Sequence, residues 1–238
     1  MPLIKKNIKN WDNKTWLSSK RYIQFFNNFL LKQINLNKNS QILDIGCGRG
    51  KILGTLSSKL KLKNKPVGLD IINHKDKDKR ITFKKQDALI FLINNKKKFD
   101  LILIKQTIHL MKFNEIKKLL KLLKKNLNSN GRILIFTLDT KKNEIPTFQL
   151  MEQKLNQSLQ RDKKILKMIE SLYPLLIKKS FSFNVKITKK KYFYMIRSRY
   201  ISTLISLSKK QIEQGIQEIE QRFKSVLRFK DKLICIIL

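Results

Sequence analysis

The stretch that decides the fold is "QILDIGCGRGKIL", residues 41–53. A short apolar run is followed by a loop with a glycine at every second position: Gly46, Gly48 and Gly50. This pattern predicts a buried strand that ends in a ligand-binding turn. The loop is not the dinucleotide fingerprint G-x-G-x-x-G, because Lys51 stands where the third glycine is required. It is not the phosphate loop G-x-x-x-x-G-K-S/T either.

An acidic residue, Asp44, stands two positions before the first glycine. A carboxylate there would repel a phosphate group and attract a ligand that carries an ammonium group. The charge pattern therefore points away from a pyrophosphate ligand.

Short apolar runs alternate with helical patterns on both sides of this loop. They predict strands at 41–45, 66–70, 81–85, 99–104 and 132–137. Leucines and isoleucines at helical spacing predict helices near 50–62 and 113–127. This alternation predicts a parallel sheet covered by helices, and the nearly continuous apolar strands indicate that both sheet faces are buried.

The pattern changes after residue 138. Residues 146–172 look helical and polar, and 178–188 alternate like an edge or antiparallel strand. Two helices separated near 206–208 are predicted within 191–224, and the closing "DKLICIIL" predicts a last strand. No linker is long enough to require a second domain.

Length and composition set the class of protein. The chain has 238 residues, of which 42% are hydrophobic, and this suits one domain with a sizeable core. The two cysteines, Cys47 and Cys235, make a disulfide framework implausible, and a reducing cytoplasm is the simplest setting. No apolar run reaches bilayer length, no signal-peptide pattern opens the chain, and no metal site is expected.

The formal charge of +36 ordinarily suggests a nucleic-acid partner. However, lysine, asparagine and isoleucine dominate, and Ala88 is the only alanine. These preferences follow AT-rich codons, and the lysines are spread along the whole chain. We therefore interpret the charge as solvated surface, and nucleic acid stays the alternative partner.

The ordered motifs resemble class I S-adenosylmethionine-dependent methyltransferases. "ILDIGCGRG" is similar to motif I of that family, "PVGLD" places Asp70 after the second strand, and "KKQDAL" places Asp87 after the third. "FDLILIKQTIHLM" and "LKKNLNSNGRILIFT" match the fourth and fifth strands with the helix and turn between them. The resemblance covers about 40–140. It implies an α/β, Rossmann-like, seven-stranded and mostly parallel sheet with helices on both faces, an antiparallel last strand and an α-helical cap.

The resemblance also implies an internal organisation for one methyltransferase domain, 1–238. The expected parts are an N-terminal lid helix (1–38), a cofactor-binding core (39–140), a cap with the sixth strand (141–228) and the last strand (229–238).

S-adenosylmethionine is the cofactor that the resemblance implies. Asp44 and Gly46 would serve its amino group, Asp70 its ribose hydroxyls and Asp87 its adenine amine, since a carboxylate only accepts hydrogen bonds. Trp16 and Tyr22 of the lid could border the sulfonium through cation–π contacts, or could simply pack. The full set of expected cofactor-binding residues is Asp44, Gly46, Cys47, Gly48, Asp70, Ile71, Asp87, Ala88 and Trp16.

The methyl acceptor is less constrained than the cofactor. The Asn/Asp-Pro-Pro-Tyr/Phe motif of nucleobase amine methylation is replaced by "IKQTIHL", and neither cysteine is placed for cytosine chemistry. What remains resembles small-molecule methyltransferases of the broad group that contains trans-aconitate methyltransferase. A small-molecule acceptor is therefore expected, and the atom that is methylated stays open.

Three residues are candidates for the acceptor side. His109 follows the fourth strand, where open α/β sheets bind ligands, and could be a general base or a structural histidine. Lys105 lies in the same loop. If 192–207 is one helix, Arg197 shares an apolar face and could bind an anionic group of the acceptor, or could snorkel or form an ion pair.

Three functions therefore follow from the sequence. The leading one is a cytoplasmic methyltransferase acting on a small, anionic metabolite. The alternatives are an RNA or ribosome-associated methyltransferase and a non-catalytic protein that keeps the fold. A membrane partner is not expected, and the sequence does not indicate an oligomeric state.

Overall fold

The computed structural model describes residues 14–141, 143–223 and 225–238. These residues form seven strands, seven α-helices and three short 3₁₀ turns. The strands are β1 (Ile42–Ile45), β2 (Val67–Asp70), β3 (Thr82–Lys85), β4 (Phe99–Lys105), β5 (Leu127–Leu138), β6 (Ile177–Thr188) and β7 (Val226–Ile237). The helices are α1 (Lys20–Leu31), α2 (Lys51–Leu60), α3 (Ala88–Asn94), α4 (Phe113–Lys125), α5 (Gln149–Leu172), α6 (Lys189–Arg197) and α7 (Lys209–Arg222), and the 3₁₀ turns are Trp16–Ser18, Ile108–Leu110 and Ser202–Leu204.

All seven strands join one sheet in the order β3-β2-β1-β4-β5-β7-β6. The first five strands in this order are parallel, and β7 runs antiparallel to both of its neighbours. The predicted Rossmann-like sheet with an antiparallel last strand is therefore confirmed.

Side chains alternate between the two faces of the sheet along each strand, and helices cover both faces. On β4, Leu101 and Leu103 point into a core with α1, α2, α6 and α7, which we call the α1 face. Ile102 and Ile104 point into a second core with α3 and α4, which we call the α4 face. The long helix α5 contributes to both cores, with Met151 on the first and Ile169 on the second. No helix in the described ranges combines the length and apolar character that crossing a bilayer requires.

The carboxyl ends of the parallel strands share one edge of the sheet, which we call the carboxyl edge. Leu138, the last residue of β5, pairs with Leu233 of β7. The preceding part of β7 therefore extends past the end of β5 and pairs with β6, where Asp231 faces Phe183. These two strands form a wall above the carboxyl edge.

The structure departs from several sequence-based expectations. The helix predicted over 192–207 ends at Arg197, because Arg199 adopts a left-handed backbone with φ +52°. The last strand begins at Val226 rather than at 229. Helix α3, which follows the third strand, has no counterpart among the predicted helices.

The glycine turn after β1 is tied to β2 by backbone hydrogen bonds. The amides of Gly46 and Cys47 both donate to the Leu69 carbonyl, at 2.8 and 2.9 Å. Gly46 and Gly48 have φ of +74° and +56°, a region that side chains disfavour. The surroundings of the two glycines differ. A Cβ on Gly46 would lie 2.1 Å from Thr107 Oγ1, whereas a Cβ on Gly48 would meet nothing within 4 Å.

This difference predicts unequal effects of two alanine substitutions. Gly46→Ala adds a steric clash with Thr107 to the cost of a left-handed backbone, and Gly48→Ala adds only the backbone cost. We expect Gly46→Ala to lose about 1–3 kcal/mol more unfolding free energy than Gly48→Ala. Urea unfolding of both variants measures the difference in unfolding free energy. Equal losses would show that Thr107 moves away from the added methyl group without a loss of stability.

Candidate active site

Asp70, at the end of β2, is held in place by the glycine turn. Its Oδ2 accepts a hydrogen bond from the Gly48 amide at 2.9 Å, and its Oδ1 accepts one from the Ile72 amide at 2.9 Å. The buried His74 lies with Nε2 3.6 Å from Oδ2, a partner that the sequence reading missed although Asp70 and His74 are four residues apart. A carboxylate offers about four acceptor positions, so a fixed Asp70 can still accept from two hydroxyl groups.

The neighbouring strand ends form an apolar ledge. Ile71 directly after β2 is 54% exposed, and Ala88 at the start of α3 is half-buried. Asp87 caps α3, because its Oδ1 accepts hydrogen bonds from the Leu89 and Ile90 amides at 2.8 and 3.1 Å. Asp87 therefore has a structural role as the N-cap of α3, and its side chain is exposed.

Asp44 is a buried acid on the α1 face of β1. Burial raises the pKa of its carboxyl to about 7, Lys105 opposes this rise and Asp70 adds to it. Among the described residues, no side-chain or backbone donor forms a hydrogen bond with this carboxylate. Because the folded pKa lies above the ordinary 3.8, Asp44 stabilises the ligand-free fold below about pH 4 and loses this contribution as the pH rises through 7. A cation bound beside Asp44 would lower the pKa of its carboxyl and favour the ionised form.

Cys47 contributes packing rather than reactivity. A Cβ on Gly68 would lie 2.8 Å from Cys47 Sγ, so this thiol is packed against β2. Burial and the charges of Asp44 and Asp70 raise the pKa of the thiol far above its usual range. The Cys47 side chain therefore faces the sheet, and any cofactor contact would come from its backbone.

Lys105 closes β4 and lies beneath the first helix. Its Nζ is 5.3 Å from the ring centroid of Tyr22 and 5.5 Å from that of Phe26, and 3.2 Å from Gln106 Oε1. The sequence analysis allowed the Tyr22 ring to border the cofactor sulfonium. In this structure the ring faces the ammonium group of Lys105.

Trp16 lies farther along the sheet than the cofactor prediction implies. Its Nε1 donates to Asp231 Oδ2 at 3.1 Å, and its ring packs edge-on against Tyr200 and Phe229 at 5.3 and 5.2 Å. Asp231 is on β7, three strands along from β1. Trp16 is therefore placed beside β7, and its role at the cofactor stays a prediction.

Asp231 is a buried acid that the sequence reading missed. In "LRFKDKLIC" the inward positions are Leu227, Phe229, Asp231, Leu233 and Cys235, all of them buried. The sequence did contain a signal for this residue, since an acid stands at an inward position of a strand whose other inward positions are apolar. A carboxylate buried there requires compensating partners.

His109 lies in the 3₁₀ turn after β4, where Arg161 of α5 holds it. The Arg161 guanidinium donates to the carbonyl oxygens of His109 and Met111, the latter at 2.5 Å. Burial and the Arg161 charge lower the pKa of His109 to about 4. His109 is therefore neutral at pH 7, but it is a weak proton acceptor there, because an efficient general base has a pKa near the working pH.

Arg197 is not on an apolar helix face, and that prediction is wrong. Its guanidinium forms a two-pronged ion pair with Glu213 of α7, with Nε 2.9 Å from Oε1 and Nη2 2.7 Å from Oε2. The Arg197 side chain is 51% exposed. The helix ends at this residue, so the predicted apolar partners further along the chain do not share its face.

A cavity of about 330 Å³ lies between the start of α1 and the start of α2. Its lining includes three basic side chains, Lys20, Arg49 and Lys51, together with the hydroxyl groups of Ser18 and Thr55. This lining suits a carboxylate or a phosphate group.

Comparisons with known proteins agree with this geometry. Residues 36–199 match the model of a family described as a methyltransferase domain. A plantazolicin methyltransferase solved with S-adenosylhomocysteine is 20% identical, with 99% of this chain and 90% of that chain covered and a TM-score of 0.53. An S-adenosylmethionine-dependent methyltransferase from Thiobacillus denitrificans, solved with the same ligand, is 14% identical, with 89% and 90% covered and a TM-score of 0.55. No curated protein matches the sequence.

The family match covers more than half of the chain. The structural likenesses, at these low identities, concern the fold. The narrower resemblance to trans-aconitate methyltransferase stays a prediction. The chain therefore belongs to the methyltransferase-domain family, and its fold is that of S-adenosylmethionine-dependent methyltransferases.

Proposed function

We propose that this chain transfers a methyl group from S-adenosylmethionine to a small molecule. The observation that carries the proposal is the order of groups along the carboxyl edge. Asp87 follows β3, Asp70 ends β2 and Ile71 follows it, and Asp44 lies near the end of β1 just before the glycine turn. Neighbouring strands are about 4.8 Å apart, so this row matches a nucleoside with an amino-acid tail.

Each group has a distinct task in this proposal. The cofactor supplies a methyl group on a positively charged sulfur. Ile71 and Ala88 support the adenine ring, Asp70 accepts hydrogen bonds from the ribose, and Asp44 pairs with the ammonium group. Gly48 allows the ligand to approach the backbone, since nothing lies within 4 Å of a Cβ there. The residues act mainly by positioning the reactants and by excluding water.

The acceptor would lie on the opposite side of the reactive sulfur from the adenosine. The adenosine end is assigned to β2 and β3, so the acceptor approaches over β4 and β5, beneath α1. The buried aromatic side chains of α1 cover this region, which supports a small-molecule acceptor. His109 is a weak proton acceptor, which favours an acceptor that reacts without losing a proton to it.

We expect an anionic group on the acceptor, but the residues that support this expectation differ from those first predicted. Arg197 is engaged by Glu213 and no longer supports it. The cavity beside the start of α2 supports an anionic ligand group through Lys20, Arg49 and Lys51, of which Lys51 also lies 3.9 Å from Asp78 Oδ2. The cofactor also carries a carboxylate, and the same cavity suits that group.

The alternative acceptor is RNA, and the formal charge of +36 is the observation in its favour. The two readings differ in which fraction of a cell extract becomes methylated, so one labelling experiment separates them.

Asp70→Ala should weaken binding of S-adenosylhomocysteine by about 2–3 kcal/mol, because charge-assisted hydrogen bonds to the ribose are lost. Titration calorimetry measures this. Arg197→Met is the matched control, since it removes a charge on an exposed helix end and should leave the affinity as in the wild type. An unchanged affinity in Asp70→Ala would remove Asp70 from the site.

Binding of S-adenosylhomocysteine should release protons from Asp44. The pKa of this carboxyl is about 7 in the ligand-free protein, so it is mostly protonated at pH 6. An ammonium group beside it favours the carboxylate, so about 0.9 proton should leave per ligand at pH 6, and the affinity should rise from pH 6 to pH 7.

Calorimetry in buffers of different ionisation enthalpy counts these protons. Asp44→Asn should abolish the release. Asp162→Asn, which changes a buried acid on the α4 face, should keep it. Equal release by wild type and Asp44→Asn would assign the proton to another group.

Incubation of a cell extract with methyl-labelled S-adenosylmethionine tests the acceptor class. We expect label in the low-molecular-mass fraction and in an anionic product, with Asp70→Ala as the inactive control. Label confined to RNA would support the alternative, and its binding to RNA should then fall steeply with salt. No label in either fraction would favour a non-catalytic protein.

A further inference from the structure

Gln106, the residue directly after β4, has a backbone conformation that its residue type disfavours. Its φ is +51°, in the left-handed region that glycine adopts easily and a long side chain rarely adopts. The Gln106 amide donates to the Phe136 carbonyl at 2.8 Å, so the ends of β4 and β5 hold this conformation. A glycine at this position would avoid the strain, and strained residues concentrate at functional sites. The glutamine side chain is therefore a candidate for a functional role.

The left-handed turn changes the direction of the Gln106 side chain. Leu103 and Lys105 follow the alternation of β4 on the α1 face, so a regular strand would place residue 106 on the α4 face. Instead, Gln106 Oε1 lies 3.2 Å from Lys105 Nζ, which itself faces the Tyr22 ring of α1. The turn thus brings the side-chain amide to the α1 face, in the region that we assign to the acceptor.

The turn after β4 also lies directly beside the glycine turn. Thr107, the next residue, is so close to Gly46 that a Cβ on the glycine would lie 2.1 Å from Thr107 Oγ1. The same hydroxyl group donates to the Lys105 carbonyl at 3.1 Å, which ties Thr107 to the end of the strand. Gln106 is therefore next to the groups that we assign to the cofactor.

The amide group of Gln106 has hydrogen-bond donors to offer. An ammonium group only donates, so the amide oxygen faces Lys105 and the Nε2 group points away from it. Within the part of the chain that the structure describes, Gln106 Nε2 donates to no protein atom, and the residue is only half-buried. Two N–H donors beside a positive charge suit an oxygen that accepts hydrogen bonds, as in a carboxylate or a carbonyl group.

We propose that Gln106 is a specificity-determining residue that donates hydrogen bonds from its side-chain amide to a carboxylate or carbonyl oxygen of the methyl acceptor. This inference rests on the proposed function. The strained backbone turns the amide towards the acceptor region, where a glycine would offer no donor. Gln106 binds the acceptor and not the cofactor, so its loss lowers methyl transfer and leaves cofactor binding as it is.

Two substitutions separate the amide donors from the strained backbone. Gln106→Gly removes both, so it should keep or raise the urea midpoint of unfolding while methyl transfer falls about tenfold. Gln106→Glu keeps the side-chain size, the backbone conformation and the contact with Lys105, but it replaces the N–H donors with an oxygen that repels the acceptor group. We expect methyl transfer by this variant to fall about tenfold as well.

Methyl transfer is measured as the rate at which label from methyl-labelled S-adenosylmethionine enters the low-molecular-mass fraction of a cell extract. Lys61→Gly is the matched control, because it relieves the same kind of backbone conformation, with φ +50°, at the exposed end of α2. It should leave the labelling rate as in the wild type. All three variants should bind S-adenosylhomocysteine within about threefold of the wild-type affinity, as calorimetry measures.

Wild-type labelling by Gln106→Glu would overturn the inference. So would a fall in the urea midpoint or in the cofactor affinity of Gln106→Gly that parallels the fall in its labelling, because the side chain would then have a structural role. Mass analysis of the labelled product should show a carboxylate or a carbonyl group, and anion exchange tells these two apart. A product with neither group would also overturn the inference. If the wild type labels no small molecule, the proposed function itself is wrong, and this inference with it.

Discussion

Two carboxylates, Asp44 and Asp231, are buried on the α1 face of the sheet, and burial raises the pKa of both. Burial of acids is unfavourable without compensation, so the elements above the sheet are arranged around this constraint. The 3₁₀ turn before α1 provides the indole donor of Trp16, and α1 places the rings of Tyr22 and Phe26 against Lys105. The buried carboxylate of Asp44 supports the proposal that a ligand with an ammonium group binds at the end of β1.

The topology brings these groups together from opposite ends of the chain. Trp16 and Asp231 are 215 residues apart in sequence and meet because β7 enters the sheet antiparallel beside β5. The strand extends past β5 and raises Asp231 above the carboxyl edge. The parallel half of the sheet thus carries the groups that we assign to the cofactor, and the antiparallel part lies on the side that we assign to the acceptor.

The parts of the site that could be predicted from the sequence are local ones. The glycine turn, Asp44 and Asp70 follow from strand ends and short motifs, whose geometry depends on few neighbours. Asp231 was missed because its meaning depends on pairing between remote segments. Arg197 was misread because the left-handed backbone at Arg199 ends the helix. An arginine does not predict such a backbone conformation. The charge of +36 gave no local information, since lysines occur throughout the chain.

A crystal structure of the protein with bound S-adenosylhomocysteine tests the central claim most directly. We expect the adenine against Ile71, the ribose hydroxyls on Asp70 and the ammonium group on Asp44. A ligand bound with its adenine over β4, or away from the glycine turn, would contradict the assignment of the site.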